Sequence, residues 1–178
     1  PRSTRARAAD RARPARDQCG ASRYGVAVLG ALVALAAFAV MEPVTYAAHR
    51  WVMHGPATRL HRSHHLHVAR GVVPRVEAND AFPVACSVVV LVALAAGYRV
   101  AGLGLLVPAC VGVTAYGAAY LLVHDVVIHR RWIPARRRGV PPRAWSRLAD
   151  AHLRHHLGGG EPYGMRSEEH TSELQSRF

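Results

Sequence analysis

The stretch "VAGLGLLVPACVGVTAYGAAYLLVHDVVIH" (Val100–His129) decides the architecture of this chain. Its first 24 residues, Val100 to Val123, carry no charged side chain, and they run straight into two histidines, His124 and His129, five positions apart. A bilayer hydrocarbon core about 30 Å thick requires about 20 apolar residues in a helix. The run therefore reads as a membrane span that delivers histidines to one membrane face. Two further uncharged runs of 18 residues, Tyr24–Met41 and Ala81–Tyr98, qualify as spans near the short end of the range. A soluble chain of 178 residues has little use for three such runs. The expected fold class is all-α, an integral membrane bundle of about three to four spans.

Odd crossings fix the sides. The polar segment Arg50–Asp80 joins spans one and two, and a tight hairpin around Arg99 and Gly102 joins spans two and three. The segment Arg50–Asp80 and the chain after His124 must then face the same compartment. The first histidine cluster reads HX4H (His49, His54) and HX2HH (His61, His64, His65), and the second repeats both motifs (His124, His129; His152, His155, His156). All ten histidines therefore converge at one membrane face, although spans two and three separate the clusters along the chain. That face carries 13 Arg, five in the first segment and eight after span three. The positive-inside rule makes it the cytoplasmic face. The seven Arg of the N-terminal arm conflict with this count unless that arm is not native.

The net charge is +12, and every one of the 23 basic residues is Arg. No basic groove with interleaved aromatics accompanies them, which argues against nucleic acid as a partner. Juxtamembrane anchoring to lipid accounts for most of the Arg. Cys19, Cys86 and Cys110 form no CxxC pair, and the last two sit inside apolar runs. A disulfide framework or thiolate metal site is not expected, and the cysteines read as small apolar fillers. Residues 1–23 read as a basic arm, disordered or non-native, and residues 24–165 as the membrane domain. The ending "RSEEHTSELQSRF" (Arg166–Phe178) resembles the translation of a sequencing-library adapter, so the native sequence is expected to stop near Met165. His170 lies in that ending and is assigned no function.

Positions i, i+3 and i+4 share a helix face, so each HX2HH presents three imidazoles together. A spacing of five puts the HX4H side chains about 140° apart on an ideal α-helix. Those pairs are expected where a helix leaves the membrane or deforms, or they reach two separate metals. Imidazole suits Zn, Cu, Fe or Ni. Ten ligands are too many for one ion, whereas two ions with four or five nitrogens each would use them all. Helical di-iron bundles use Glu and Glu-x-x-His, so this centre would be unusually rich in histidine. His67 falls outside the spacing and reads as a surface histidine. Asp125 is either a partner that orients the His124 imidazole or a helix-end charge. Glu42 closes the first apolar run seven residues before His49 and shares its helix face if Pro43 does not break the helix. An ionisable group so near the membrane interior is a functional candidate, with an interfacial helix-end Glu as the alternative.

These residues resemble the membrane-bound β-carotene 3-hydroxylases of bacteria, within the fatty-acid hydroxylase/sterol desaturase superfamily. The resemblance covers most of residues 41–157: "ME" at Met41–Glu42, "HRWVMHG", "LHRSHH", "VEAND" (Val76–Asp80), "VTAYGAAYLLVHD" (Val113–Asp125), "IHRRW" and "AHLRHH". The first HX4H and the "HD" opening of the third motif favour the hydroxylases over the related carotenoid ketolases. The resemblance implies a non-haem centre of two iron ions that uses O2 and electrons from reduced ferredoxin. Its implied reaction adds hydroxyl at carbon 3 of the β-ionone ring, taking β-carotene through β-cryptoxanthin to zeaxanthin. Its implied ligands are His49, His54, His61, His64, His65, His124, His129, His152, His155 and His156. The family continues beyond the last HX2HH with apolar sequence, of which "GGGEPYGM" covers only the start. With a carotenoid arriving from the bilayer, Tyr116 and Tyr120 either line the substrate path or pack in the bundle. Gly104, Gly112, Ala115, Gly117, Ala118 and Ala119 either allow close helix packing or leave room for a thin polyene. Another oxidase of the superfamily, acting on a fatty acid, a sterol or the carotenoid 4-position, is the alternative. A membrane metal-binding or transport protein is a third reading, disfavoured because the histidines sit at span ends and not mid-span.

Overall fold

The computed structural model describes residues 4–139, 143–158 and 163, with side chains from Arg23 onward and Ala135 by its backbone alone. Five α-helices form: α1 (Thr4–Ala47), α2 (Thr58–Ala69), α3 (Ala81–Arg99), α4 (Leu106–Leu121) and α5 (Ser146–Gly158). Helix α1 begins inside the basic arm. The ending Arg166–Phe178, with His170, lies outside the described residues, as does most of "GGGEPYGM". No strand occurs among the described residues.

Three segments are long and apolar enough to cross a membrane: Arg23–Met53, Ala78–Arg99 and Leu106–Ile128, with mean hydropathies of 2.3, 2.2 and 1.8. Among the described residues the fold is thus an all-α bundle with three spans, at the lower end of the expected three to four. The third span starts at Leu106 and not at Val100, because residues 100–105 turn the hairpin. Gly102 sits there at φ +86°, a left-handed conformation that favours glycine.

Helix α4 is the central span, packed against α1 on one side and α3 on the other. Its close approach to α1 is built from small residues. Gly112 lies against the backbone of Ala34 and the methyl of Ala37, and Gly30 faces Pro108. With lipid outside and no hydrophobic drive between spans, such close contact supplies the dispersion that joins them. A side chain at position 112 would collide with the Ala34 carbonyl oxygen. Gly112→Leu should therefore destabilise the bundle by about 1–3 kcal/mol, read as a lower midpoint of thermal unfolding in detergent. Gly117→Leu should have little effect, since nothing lies within 4 Å of a Cβ placed there.

The burial pattern is inverted relative to a water-soluble domain. Apolar side chains such as Leu32, Leu35, Val88, Leu91 and Val92 point outward, as lipid-facing side chains do. The most enclosed side chains are His64 and His155. The core is a polar layer at one end of the spans, where α2 packs against α5 and α5 packs against the end of the third span.

Candidate metal centre

Helix α1 continues through Pro43 to Ala47 without breaking. It then changes pitch: Ala48–Met53 is a π-helix, and so is Leu122–Ile128 after α4. This resolves the HX4H spacing. In a π-helix the backbone bond joins residues five apart. The His54 N–H donates to the His49 carbonyl (3.1 Å), and the His129 N–H to the His124 carbonyl (2.9 Å). Histidines that diverge on an α-helix are brought onto one side here. Their ring centroids lie 5.1 Å apart in the first pair and 4.5 Å in the second.

The ten histidines form two groups of five: His49, His54, His61, His65 and His155, and His64, His124, His129, His152 and His156. Within each group the donor atoms all lie within 4.8 Å of one another. Each HX4H pair enters one group whole, so neither pair is split between the groups. The HX2HH motifs divide instead. Positions i and i+4 join the group of the preceding HX4H, and position i+3 crosses to the other group. Helix α2 thus lends His64 to the second group and α5 lends His155 to the first, an exchange that interlocks the two halves.

The donors converge through Nε2. In the first group, Nε2–Nε2 distances are 3.0 Å for His49–His61, 3.0 Å for His61–His65, and 3.2 Å for both His54–His155 and His155–His49. In the second, His129–His152 is 3.0 Å and His152–His156 is 2.8 Å. Two nitrogens held at right angles about 2.1 Å from one ion stand about 3.0 Å apart, so the spacing fits nitrogens sharing a cation. The His64 Nε2 atom is buried and without a hydrogen-bond partner among the described residues. A lone pair left so in the interior is costly unless an ion uses it.

The opposite ring nitrogens are tied down. His64 Nδ1–H donates to Glu77 Oε1 (2.7 Å), and His67 Nδ1–H donates to the other carboxylate oxygen (3.0 Å). His61 Nδ1 meets Asn79 Oδ1 at 2.8 Å, and His49 Nδ1 meets the Tyr163 carbonyl at 2.9 Å. A proton on Nδ1 leaves the Nε2 lone pair facing the group, as a metal-binding imidazole requires. Burial, followed by the neighbouring imidazoles, pushes His54, His129, His152 and His156 below the usual histidine range. Burial likewise takes His61 to about 3 and His65 to about 4. At pH 7 these rings are neutral lone-pair donors.

Arg131 fastens this frame. After His129 the chain reverses at Arg130, in the left-handed region at φ 56°. Arg131, only 5% exposed, forks onto both oxygens of Asp80 at 2.8 Å and reaches Asp125 at 2.7 Å, with Glu77 3.7 Å away. Asp125 stands 3.7 Å from His124 Nδ1, too far for a hydrogen bond, so its close partner is Arg131. His67 is half-buried on Glu77 and not the free surface residue expected, although it belongs to neither group. Glu42 also lies outside both groups and accepts the Tyr116 hydroxyl at 2.8 Å. Tyr116 is buried, touches Thr45 at 2.7 Å and packs edge-on against Phe38. Tyr120 stacks on the His124 ring at 5.0 Å. Glu77, Asn79, Asp80 and Arg131 carry no role in the spacing argument; three polar or acidic positions just before span two, and an Arg two residues after His129, were the available signal.

The two groups differ in access. Tyr163 covers the first, its ring 5.1–5.5 Å from those of His49, His54 and His155. Beside the second lies a cavity of about 420 Å³ bounded by His64, His129, His152 and His156 and by the loop of Val72 and Pro74.

The fatty acid hydroxylase family model matches residues 34–168, a stretch that contains all ten histidines. The chain belongs to that family. Among curated relatives, a β-carotene hydroxylase of Paracoccus sp. (strain N81106 / MBIC 01143) is 34% identical over 134 residues, 74% of this chain and 77% of the relative. Another, from Pseudescherichia vulneris, is 36% identical over 134 residues, 75% of this chain and 71% of the relative. A chloroplastic β-carotene 3-hydroxylase of Haematococcus lacustris is 35% identical over 136 residues, 70% of this chain and 39% of the relative. No solved structure matches the chain. Family membership and the three spans make it a multi-pass membrane protein and a hydroxylating monooxygenase.

Proposed function

We propose that this chain hydroxylates carbon 3 of the β-ionone ring of a carotenoid, using O2 and electrons from a reduced ferredoxin. The observation that carries the reading is the pair of five-histidine groups at the ends of apolar spans, where a lipid-soluble ring can reach them. The relatives' names support the substrate, and the Haematococcus relative's name supports the 3-position. The catalytic unit is residues 24–165, and the arginines flanking the histidines support a cytoplasmic-face centre.

Two iron ions are the metal this reading requires. His49, His54, His61, His65 and His155 would hold one, and His64, His124, His129, His152 and His156 the other. When bound, the metal supplies what no acid–base side chain can, activation of O2 toward an unactivated C–H bond. The chain does the rest. Glu77 and Asn79 fix the tautomers of His64 and His61. Burial keeps competing water away. Tyr120, stacked on His124 and one turn beyond Tyr116, would guide the ring along α4 toward the second group. Glu42 holds Tyr116 in place on that path, and Asp125 holds Arg131.

Expression in a β-carotene-accumulating host that supplies ferredoxin tests the reading. The wild type should convert the pigment through β-cryptoxanthin to zeaxanthin. His64→Ala should lower conversion by about 100-fold or more, since even residues that only brace a ligand are worth about 10- to 100-fold. Unchanged β-carotene with the wild type would sink the proposal. A 4-oxygenated carotenoid, or a hydroxylated fatty acid or sterol, would move the chain to another branch of the superfamily.

A further inference from the structure

The two histidine groups are alike in ligand type and number, but the acceptors behind their rings differ. In the first group, three Nδ1 atoms meet neutral oxygens among the described residues: His61 at Asn79 Oδ1 (2.8 Å), His49 at the Tyr163 carbonyl (2.9 Å) and His65 at the His156 carbonyl (3.3 Å). In the second, His64 donates at 2.7 Å to a carboxylate, Glu77, whose side chain is only 1% exposed. The two acceptors come from one short segment. Glu77 and Asn79 are two residues apart, and Asp80 accepts the Glu77 backbone N–H at 2.9 Å.

A buried carboxylate behind an imidazole makes a stronger hydrogen bond than an amide does. It draws the Nδ1 proton toward itself and raises the basicity of the Nε2 lone pair. Its negative charge also favours a cation nearby, with little screening in a buried site. Arg131 offsets this charge only in part. Its close contacts, 2.7–2.8 Å, go to Asp125 and Asp80, and it stands 3.7 Å from Glu77. One guanidinium is shared among three carboxylates, Glu77, Asp80 and Asp125, and Glu77 is the one it stands farthest from.

We infer that the two sites are unequal, with the second group the tighter cation site because Glu77 backs His64, and Asn79 marking the first as the weaker. The inference rests on the metal reading proposed above and adds a filling order. Glu77 is thereby a positioning residue acting through His64.

The test is a cobalt titration of the full chain in detergent, stripped with a chelator and followed by Co2+ absorption against a competing indicator. The wild type should bind two equivalents in two distinguishable steps. His129→Ala should remove the tighter step and His54→Ala the weaker. Glu77→Gln should weaken the tighter step by about 10- to 100-fold and leave the weaker one in place. Asn79→Asp puts a carboxylate behind His61 and should tighten the weaker step by a similar factor, a gain that misfolding cannot imitate. Two equal steps in the wild type, His54→Ala removing the tighter step, or no change in Asn79→Asp would each overturn the inference. A wild type that binds no cobalt would overturn the metal reading with it. Normal titrations with no carotenoid product would count against the proposed reaction alone.

Discussion

Arg131→Met should destabilise the metal-free chain by about 3–5 kcal/mol, the range for removing one partner of a buried ion pair. The side chain is 5% exposed and fits Asp80 with a bidentate fork, a geometry only Arg offers. Its removal strands Asp125, 14% exposed, and Glu77, 1% exposed. Burial alone would raise the Glu77 carboxyl pKa. The hydrogen bonds from His64 and His67, with the charge of Arg131, outweigh that and bring it down to about 2. Without the guanidinium the burial cost is left less opposed. The backbone suffers too, because Arg131 also donates to the carbonyls of Pro74 (3.4 Å) and Arg75 (3.0 Å), which fixes the loop entering span two. Arg131→Lys should recover part of the loss, since an ammonium keeps the charge but cannot fork. Thermal unfolding in detergent, compared across wild type, Lys and Met, reads the series. A Met variant as stable as the wild type would show that the carboxylates are not held by this residue.

How much of this was legible in the sequence follows from which signals are periodic. The spans were, because an uncharged run such as Ala81–Tyr98 needs no partner to declare itself. The convergence of the clusters was too, because two intervening crossings return the chain to the same side. The pitch of Ala48–Met53 and Leu122–Ile128 was not. A five-residue spacing looks unfavourable on an α-helix, and only the π-helical bond from His54 to His49 brings the pair together. The division of each HX2HH also escaped the face argument. Positions i+3 and i+4 flank position i on opposite sides, about 100° apart. That is a single face for a broad contact but two directions for small ions. The bracing residues were hidden for another reason. Glu77, Asn79 and Asp80 lie in an extended residue and a 3-10 turn, Ala78–Asp80, where no periodicity says which way a side chain points. Glu42 looked functional from its depth, and the structure gives it a contact with Tyr116, a residue singled out separately for its place on α4.

Acidifying the metal-stripped chain from pH 7 toward pH 4 should unpack the layer formed by α2 and α5. His54, His61, His65, His129, His152 and His156 all have lowered pKa values, burial being the first cause in each. Unfolded, each would titrate near its ordinary value of 6.5. Below that pH the unfolded chain binds protons that the folded chain refuses, so stability rises with pH and falls as pH drops. Each such histidine contributes about 1.4 kcal/mol per pH unit. Three acting together remove about 4 kcal/mol per unit, against a total stability of about 5–15 kcal/mol for a typical protein. The loss begins as pH falls below 6.5 and runs on toward the values near 4 and 3 of His65 and His61. Glu77 adds to it only lower down, between its ordinary 4.5 and about 2, with the same sign. Bound metal opposes the whole effect, because each ligand must lose its proton competitor for the ion to bind. The loaded protein should therefore unpack at lower pH than the stripped one, by a margin that grows with free metal concentration. Trp145, partly exposed and next to the start of α5, gives the fluorescence signal. A stripped chain that keeps its fluorescence unchanged down to pH 4 would mean that these imidazoles accept protons without leaving their packing, and the neutral state of these six rings would have to be abandoned.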